Sequence, residues 1–600
     1  MKESLDFAIS DAEREIADKS VQMALDAGAS AVMVSLDKAK TEIYALLDGE
    51  IDNIRQTGDR SLTFNIYADG KYGTFSTNRF EEESLRDFLC KAVETVRMLV
   101  ADPFRGLPDK KDLATDAVNG DEMGLCWYGY DSVTREEKLE MARRISVFGE
   151  FSAPSSDRNW RVVSEEIEYN NTLSDTYLTS SDGCRCRQTE TSFEVSSQVT
   201  VEDNDGNKYT GLWWDYDVSP EKVLTSECGR KAVEMAVMQI APVNADKGKY
   251  TMVVSRLVSG RLLQPVLNAL SSLSVYQKSS FLVDALGKQV FSKGLNVMDM
   301  PLEKGKSGAI LFETDGRACR NREIITDGVV KENFTSIYMS RKLGIPPTSS
   351  CPNRPVLQPF VSEELLGGGR GGGHCGVSGA GLGAENGGER GAVSGDVFGA
   401  VSGDGRGVER GEMSGSGLCG DCGEVSGAVF GAVSGGERGV ELGVVNGSER
   451  GVELGVASGD ERGVELGVAS GDGRGVELGA VNGCGRGTEL TGALGAERGL
   501  KAESFVNEIA QRDIMDLCGS GILVTDFNGG NCNSATGDFS YGVSGFLFEN
   551  GKITSPIDSM LITGNMTDLW SSLLAAGSDP VPGMSRQVPT LAFRDVTFNA

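Results

Sequence analysis

The feature that most limits how this chain can fold is an abrupt change of composition at Gly367. From there to about Gly499 the sequence holds 45 of its 79 glycines and no lysine, tyrosine, tryptophan or proline, a bias foreign to packed domains. A twelve-residue unit recurs inside it: GVELGVVNGSER from Gly439, GVELGVASGDER from Gly451, GVELGVASGDGR from Gly463 and GVELGAVNGCGR from Gly475. Glycine makes ordering entropically costly and each unit offers few apolar groups, so a flexible, solvated insert is expected over 367–499. A small β-solenoid is the rival reading of a short fixed period; the Glu-Leu pairs and variable small residues lack the inward ladder that stacking needs. Loop closure over such a length costs only a few kcal/mol, because the penalty grows logarithmically, so the surrounding fold can survive the interruption.

The remaining sequence reads as an α+β protein. Asp11 to Ala27 has helical spacing, and the following AVMVSL is an extended run. SLTFNIYADGKYGTFS, from Ser61, alternates apolar and polar side chains about an Asp69-Gly70 turn, which predicts a hairpin. EESLRDFLCKAVETVRMLV places Leu85, Phe88, Leu89, Ala92, Val93, Val96 and Leu99 on one face of an amphipathic helix. After a helix around Arg135 to Phe148, the stretches RVVSEEIEYNN, DTYLTSS, TSFEVSSQVTVED and KYTGLWWDYDV are expected as successive strands, with Asn204-Asp205-Gly206 as a turn. Ser219-Pro220-Glu221 opens a predicted helix to about Ile240, and KYTMVVS follows as a strand. The expected units are an N-terminal α+β domain at 1–110, a middle β-rich domain at 111–245, the first part of a C-terminal domain at 246–366, the insert, and a β-rich C-terminal segment at 500–600.

Composition removes several function classes. Acidic residues outnumber basic ones by 87 to 58, a net charge of -29, which repels nucleic acid and anionic lipid. No stretch approaches a membrane span, and the charged N-terminus lacks the apolar core of a secretory signal, so the expected location is the cytoplasm. Thirteen cysteines in such a chain read as reduced thiols. Cys184 and Cys186, and Cys419 and Cys422 within the insert, lack partner ligands at zinc-site spacing and read as incidental thiols. The one histidine, His374, lies between glycines in the insert, where nothing holds an imidazole in catalytic geometry. Triads that need an imidazole base are thereby excluded. The glycine strings of the insert lack the flanking strand and helix of a phosphate cradle. The Trp213-Trp214-Asp215-Tyr216 run reads as core or interface packing sooner than as a ligand platform.

The last hundred residues carry GILVTDFNGGNCNSATGDFSYGVSGFLFENGKITSPIDSMLITGN, in which two strands are expected to flank Asn-Gly-Gly and a hairpin to turn at Glu549-Asn550-Gly551. This segment resembles the C-terminal signature of the TldD/PmbA family, specifically its TldE (PmbA) branch. SSFLVDALGKQVF, ETDG and DGVVKENFTSIYMSRKLGIPPT resemble the family's central block, and ADPFRGLPD at 101–109 fits its N-terminal part. Apart from the insert, nearly the whole chain is covered.

The resemblance implies a zinc metallopeptidase system in which the TldD branch carries HExxxH on a helix and the TldE branch is its partner without that motif. In such a motif two histidines hold the metal and the glutamate activates its bound water. The equivalent stretch here is GRLLQPVLNA at 260–269, with Gln264 and Ala269 in the histidine positions and Pro265 in that of the glutamate. An amide and a methyl are poor zinc ligands, and proline carries no base. The family's further zinc-binding cysteine is also missing, since no cysteine follows Cys532. The sequence therefore predicts no catalytic or metal-binding residue in this chain, and zinc in a TldD-like partner. It predicts a non-catalytic subunit that helps hold extended or unfolded peptides, with Asn528, Gly529, Gly530 and Asn531 as candidate peptide-facing positions; a tight turn is the competing account of those four residues. Two other readings stay open: a peptidase in its own right, with metal held by cysteines and carboxylates, and a regulatory binding protein of the kind described as a DNA gyrase modulator.

Overall fold

The computed structural model describes residues 5–367 and 510–599. The expectations for the glycine-rich insert, for His374 and for Cys419 and Cys422 lie outside the described residues.

The helix Asp11–Asp26 starts at a capping box in which Ser10 and Glu13 satisfy each other's backbone N–H. It and the helix Glu82–Met98 cover one face of a six-stranded antiparallel sheet of order β3-β2-β1-β4-β5-β6. The strands are β1 (Ala31–Leu47), β2 (Glu50–Ala68), β3 (Lys71–Thr77), β4 (Trp160–Ser180), β5 (Arg185–Asp203) and β6 (Lys208–Asp217). Val32, Val34, Leu36, Leu62, Phe64 and Ile66 from the strands meet Leu85, Leu89, Val93 and Val96 in one core. Phe88 packs at the margin of that core, and Leu99 is exposed, because the helix ends at Met98. Asp69 and Gly70 both take positive φ, the geometry of a two-residue hairpin turn. Since β1 pairs with β4 along its length, the sheet runs across the expected boundary at 110.

Two local expectations are corrected. RVVSEEIEYNN and DTYLTSS form the single long strand β4, because β1 and β5 flank it on both sides and engage its backbone through the Asn171–Ser174 stretch that resembles a turn. The helix expected over 220–240 is two helices, Glu221–Leu224 and Cys228–Met238. Ser226 interrupts it: its hydroxyl donates to Asp215 at 2.7 Å and accepts from the Cys228 N–H at 3.1 Å, restarting the helix one turn later.

A second sheet joins β12 (Phe360–Val361), β16 (Leu573–Ala576), β17 (Leu591–Asn599), β15 (Lys552–Asn565), β14 (Asp538–Glu549), β13 (Ser520–Cys532) and β7 (Gly248–Val254) in that order. Strand β17 also pairs with β7, closing β7, β13, β14, β15 and β17 into a ring. Residues before and after the insert thus build one body, with β7 parallel to β13 through Met252–Val254 and Ile522–Val524. Alternation divides the side chains by face. Met252, Val254, Ile522, Val524 and Phe593 join one core with the helix Gly260–Ala269. Val253, Leu523 and Ala592 join another with Ile514 and Met515 of the helix Gln511–Cys518. A small third sheet comprises β8 (Val297–Asp299), β9 (Arg322–Thr326), β10 (Val329–Val330) and β11 (Pro355–Leu357).

Candidate functional site

The helix Gly260–Ala269 follows β7 and places Leu262, Leu263, Val266, Leu267 and Ala269 in the core. Trp570, fully buried beside it, donates its indole N–H to the Leu262 carbonyl at 3.2 Å. Pro265 lies inside the helix and has no N–H for the carbonyl four residues before it. Gln264 is half-buried; its amide nitrogen donates to Asn268 Oδ1 at 2.6 Å, and its Oε1 is buried without a donor. Ala269 faces away from this amide pair into the apolar cluster. The three residues present therefore do not fit a zinc ion: an amide already bonded to its neighbour, a ring without a donor or base, and a methyl in the core. Among the described residues, no group of three or more histidine, cysteine, aspartate or glutamate side chains is placed to hold a metal ion.

Asn528, Gly529, Gly530 and Asn531 do not join two strands. They lie inside β13 as a bulge, where the register against β14 shifts between Phe527, opposite Val543, and Gly530, opposite Tyr541. The bulge explains the glycines. Gly530 has φ +94, and a Cβ there would collide with the Ser540 carbonyl oxygen. The Asn528 amide nitrogen reaches across the sheet to Ser544 Oγ at 2.8 Å and Ser559 Oγ at 3.1 Å. All four residues are exposed. Strand β7 pairs with β13 only as far as Val524, so beyond it one edge of β13 has no strand partner among the described residues.

The two candidate stretches are neighbours. The Arg261 guanidinium, in the first turn of the helix, donates to the Phe527 carbonyl immediately before the bulge. This link joins residues 266 positions apart and has no local sequence signal. The chemistry available here is amide, hydroxyl and backbone hydrogen bonding. Cys532, at the end of the bulge, has its thiol pushed up by burial and by Asp538, which keeps it protonated and a poor nucleophile. Burial likewise raises the Asp526 carboxyl, against the backbone hydrogen bond of Phe527 and the charge of Arg261. Cys184 and Cys186 are buried, with their sulfurs 3.6 Å apart. Of the aromatic run, Trp213 is in the core beneath Lys231, whereas Trp214 and Tyr216 lie half-buried on the other face of β6.

Comparison with known proteins agrees with this architecture. The PmbA/TldA metallopeptidase C-terminal domain matches residues 247–361 and 494–600, and the central domain of the same family matches 128–240. Metalloprotease PmbA of Escherichia coli O157:H7 is 21% identical over 578 residues, 95% of this chain and 93% of that one. A crystal structure from Bacteroides thetaiotaomicron, named as a candidate modulator of DNA gyrase, superposes with a TM-score of 0.70 at 24% identity, covering 99% of this chain and 100% of that one. TldE from Thermococcus kodakarensis superposes with a TM-score of 0.61 at 11% identity, covering 98% and 100%. These two likenesses establish the fold, and the β-ring of this chain is assembled from the two stretches matched on either side of the insert. With its middle and C-terminal parts matched as successive domains of one family, the chain belongs to the PmbA/TldD metallopeptidase family.

Proposed function

We propose that this chain is a non-catalytic, TldE-like subunit of a cytoplasmic TldD-type zinc metallopeptidase, and that it helps hold extended peptide for cleavage by its partner. The observation that carries this reading is the pairing of a helix carrying Gln264, Pro265 and Ala269 with an adjacent strand edge at 528–531 that has no partner among the described residues. The helix supplies neither metal ligand nor base. The edge presents backbone donors and acceptors to which an extended peptide adds with little sequence preference. Zinc, base and activated water then belong to the partner. The free thiols among the described cysteines suit a reducing compartment, and no described helix is long and apolar enough to cross a membrane.

The test is co-purification of the tagged full chain from its native cells. A TldD-like chain bearing HExxxH and zinc, recovered in stoichiometric amount, is the expected result. Stoichiometric zinc on this chain alone, with peptide turnover lost on chelation, would replace this reading with that of an independent peptidase. Recovery with gyrase and without a peptidase would favour the regulatory role suggested by the name of the Bacteroides structure.

A further inference from the structure

The first sheet has two unlike faces. Odd-numbered residues of β5, such as Phe193, Val195 and Val199, face the helix-covered core, and even-numbered ones face the other way. On that second face, Tyr216 of β6 stands opposite Glu194 of β5, which stands opposite Asn170 of β4. In the adjacent row Trp214 is opposite Ser196, and Ser196 is opposite Glu168. Side chains directly opposite are about 5 Å apart at Cβ and diagonal ones about 7 Å. Two carboxylates, an amide and two aromatic rings therefore share one patch.

The patch is rich in acceptors and poor in donors. Glu194 is 9% exposed, and its carboxyl is influenced only by burial and by the like charge of Glu168, with no hydrogen bond or ion pair from a described residue. Asn170 Oδ1 is buried and lacks a donor. Arg55 forms an ion pair with Glu168 at 3.7 Å, at the more open end of the patch. Burial first, and Glu168 second, push the Glu194 carboxyl up to about 8. Tyr216 abuts Gly583 and bonds Ser307 and Ser192, so the patch lies where C-terminal loops approach the sheet. Buried acceptors left without a donor are costly. An ammonium brings three donors and a charge, and aromatic faces attract that charge.

We propose that Glu194, Asn170, Glu168, Trp214 and Tyr216 form a recognition subsite for an organic cation, the side chain of a lysine or arginine in a bound peptide. Glu194 and Asn170 accept the donors, Glu168 adds its charge, and the rings flank the stem. Binding sends the Glu194 proton to solvent. The peptide as source rests on the proposed function; the subsite does not.

Ligand-observed NMR on the full chain tests this with Nα-acetyl-lysine amide and the uncharged Nα-acetyl-norleucine amide, which lacks the ammonium group. The lysine derivative is expected to bind at least tenfold more tightly, and the E194Q/E168Q variant, checked for an intact melting curve, to bring the ratio close to one. Equal binding of the two derivatives, binding by neither, or a preference that survives in E194Q/E168Q would overturn the subsite. A seven-residue peptide with a central lysine separates the sources. Tighter binding than the single residue supports the peptide; no gain leaves the subsite standing and sinks the peptide-holding reading.

Discussion

Arg261 and Phe527 are joined by a hydrogen bond from guanidinium to carbonyl that ties the helix Gly260–Ala269 to the strand carrying the bulge. Arg261→Met leaves that carbonyl unpaired beside the bulge. The expected cost is about 1–2 kcal/mol in urea denaturation, with faster amide exchange concentrated at 526–531. Unchanged exchange there would show that the bulge is held by β14 alone.

The bulge makes unequal demands on its four residues. Gly530→Ala forces a Cβ against Ser540 at a φ of +94, so a loss of about 2 kcal/mol or more is expected. Asn531→Ala alters an exposed side chain and is expected to stay within about 0.5 kcal/mol of the parent. Equal effects in denaturant titrations would contradict the bulge geometry.

Asp69-Gly70 and Asn550-Gly551 were legible because a positive-φ hairpin writes itself in two residues. The helices Asp11–Asp26 and Glu82–Met98 were legible from the spacing of their apolar positions. The rest depended on distant partners. The break expected between RVVSEEIEYNN and DTYLTSS is absent because β1 and β5 bond the strand through it. Asn528-Gly529-Gly530 looks like a hairpin until Asn528 is seen bonded to Ser544 on the adjacent strand and to Ser559 on the strand beyond it. Ring closure by β17 on β7 pairs Phe593 with Met252, across a separation no local pattern encodes. Within the site, the substitutions at 264, 265 and 269 could be read from the family resemblance, but the neighbourly contact of Arg261 with Phe527 could not.

Glu194 gives a pH signature. Its carboxyl is raised from the ordinary 4.5 to about 8, so the folded state keeps a proton that the unfolded state has released. Stability from this group is complete below about pH 4.5 and is lost as pH rises through 8. Glu194→Gln removes the loss. Its advantage over the parent is expected near zero at pH 4 and roughly 3–5 kcal/mol at pH 9. A pH-independent difference in melting would contradict the burial of an unpaired carboxyl.

The two ends of the insert emerge together. Leu365, in the helix Glu363–Gly367, packs into the same cluster as Ile514, Met515 and Leu517 of the helix Gln511–Cys518. A short linker can therefore replace residues 370–507. Shortening so long a connection lowers the entropy cost of closing it by about 2 kcal/mol, so a melting temperature unchanged or a few degrees higher is expected. A fall of more than about 5 °C would mean that the repeats contribute to stability.

The central claim is that the chemistry lies in a partner. Purified full chain, a TldD-like zinc metallopeptidase from the same cells, and their equimolar mixture can be compared for zinc content and for cleavage of an unfolded peptide. For this chain alone no zinc and no turnover are expected, and on mixing at least a tenfold gain in peptidase rate, abolished by chelation. Zinc-dependent turnover by this chain alone, or a mixture no faster than the partner, would contradict it.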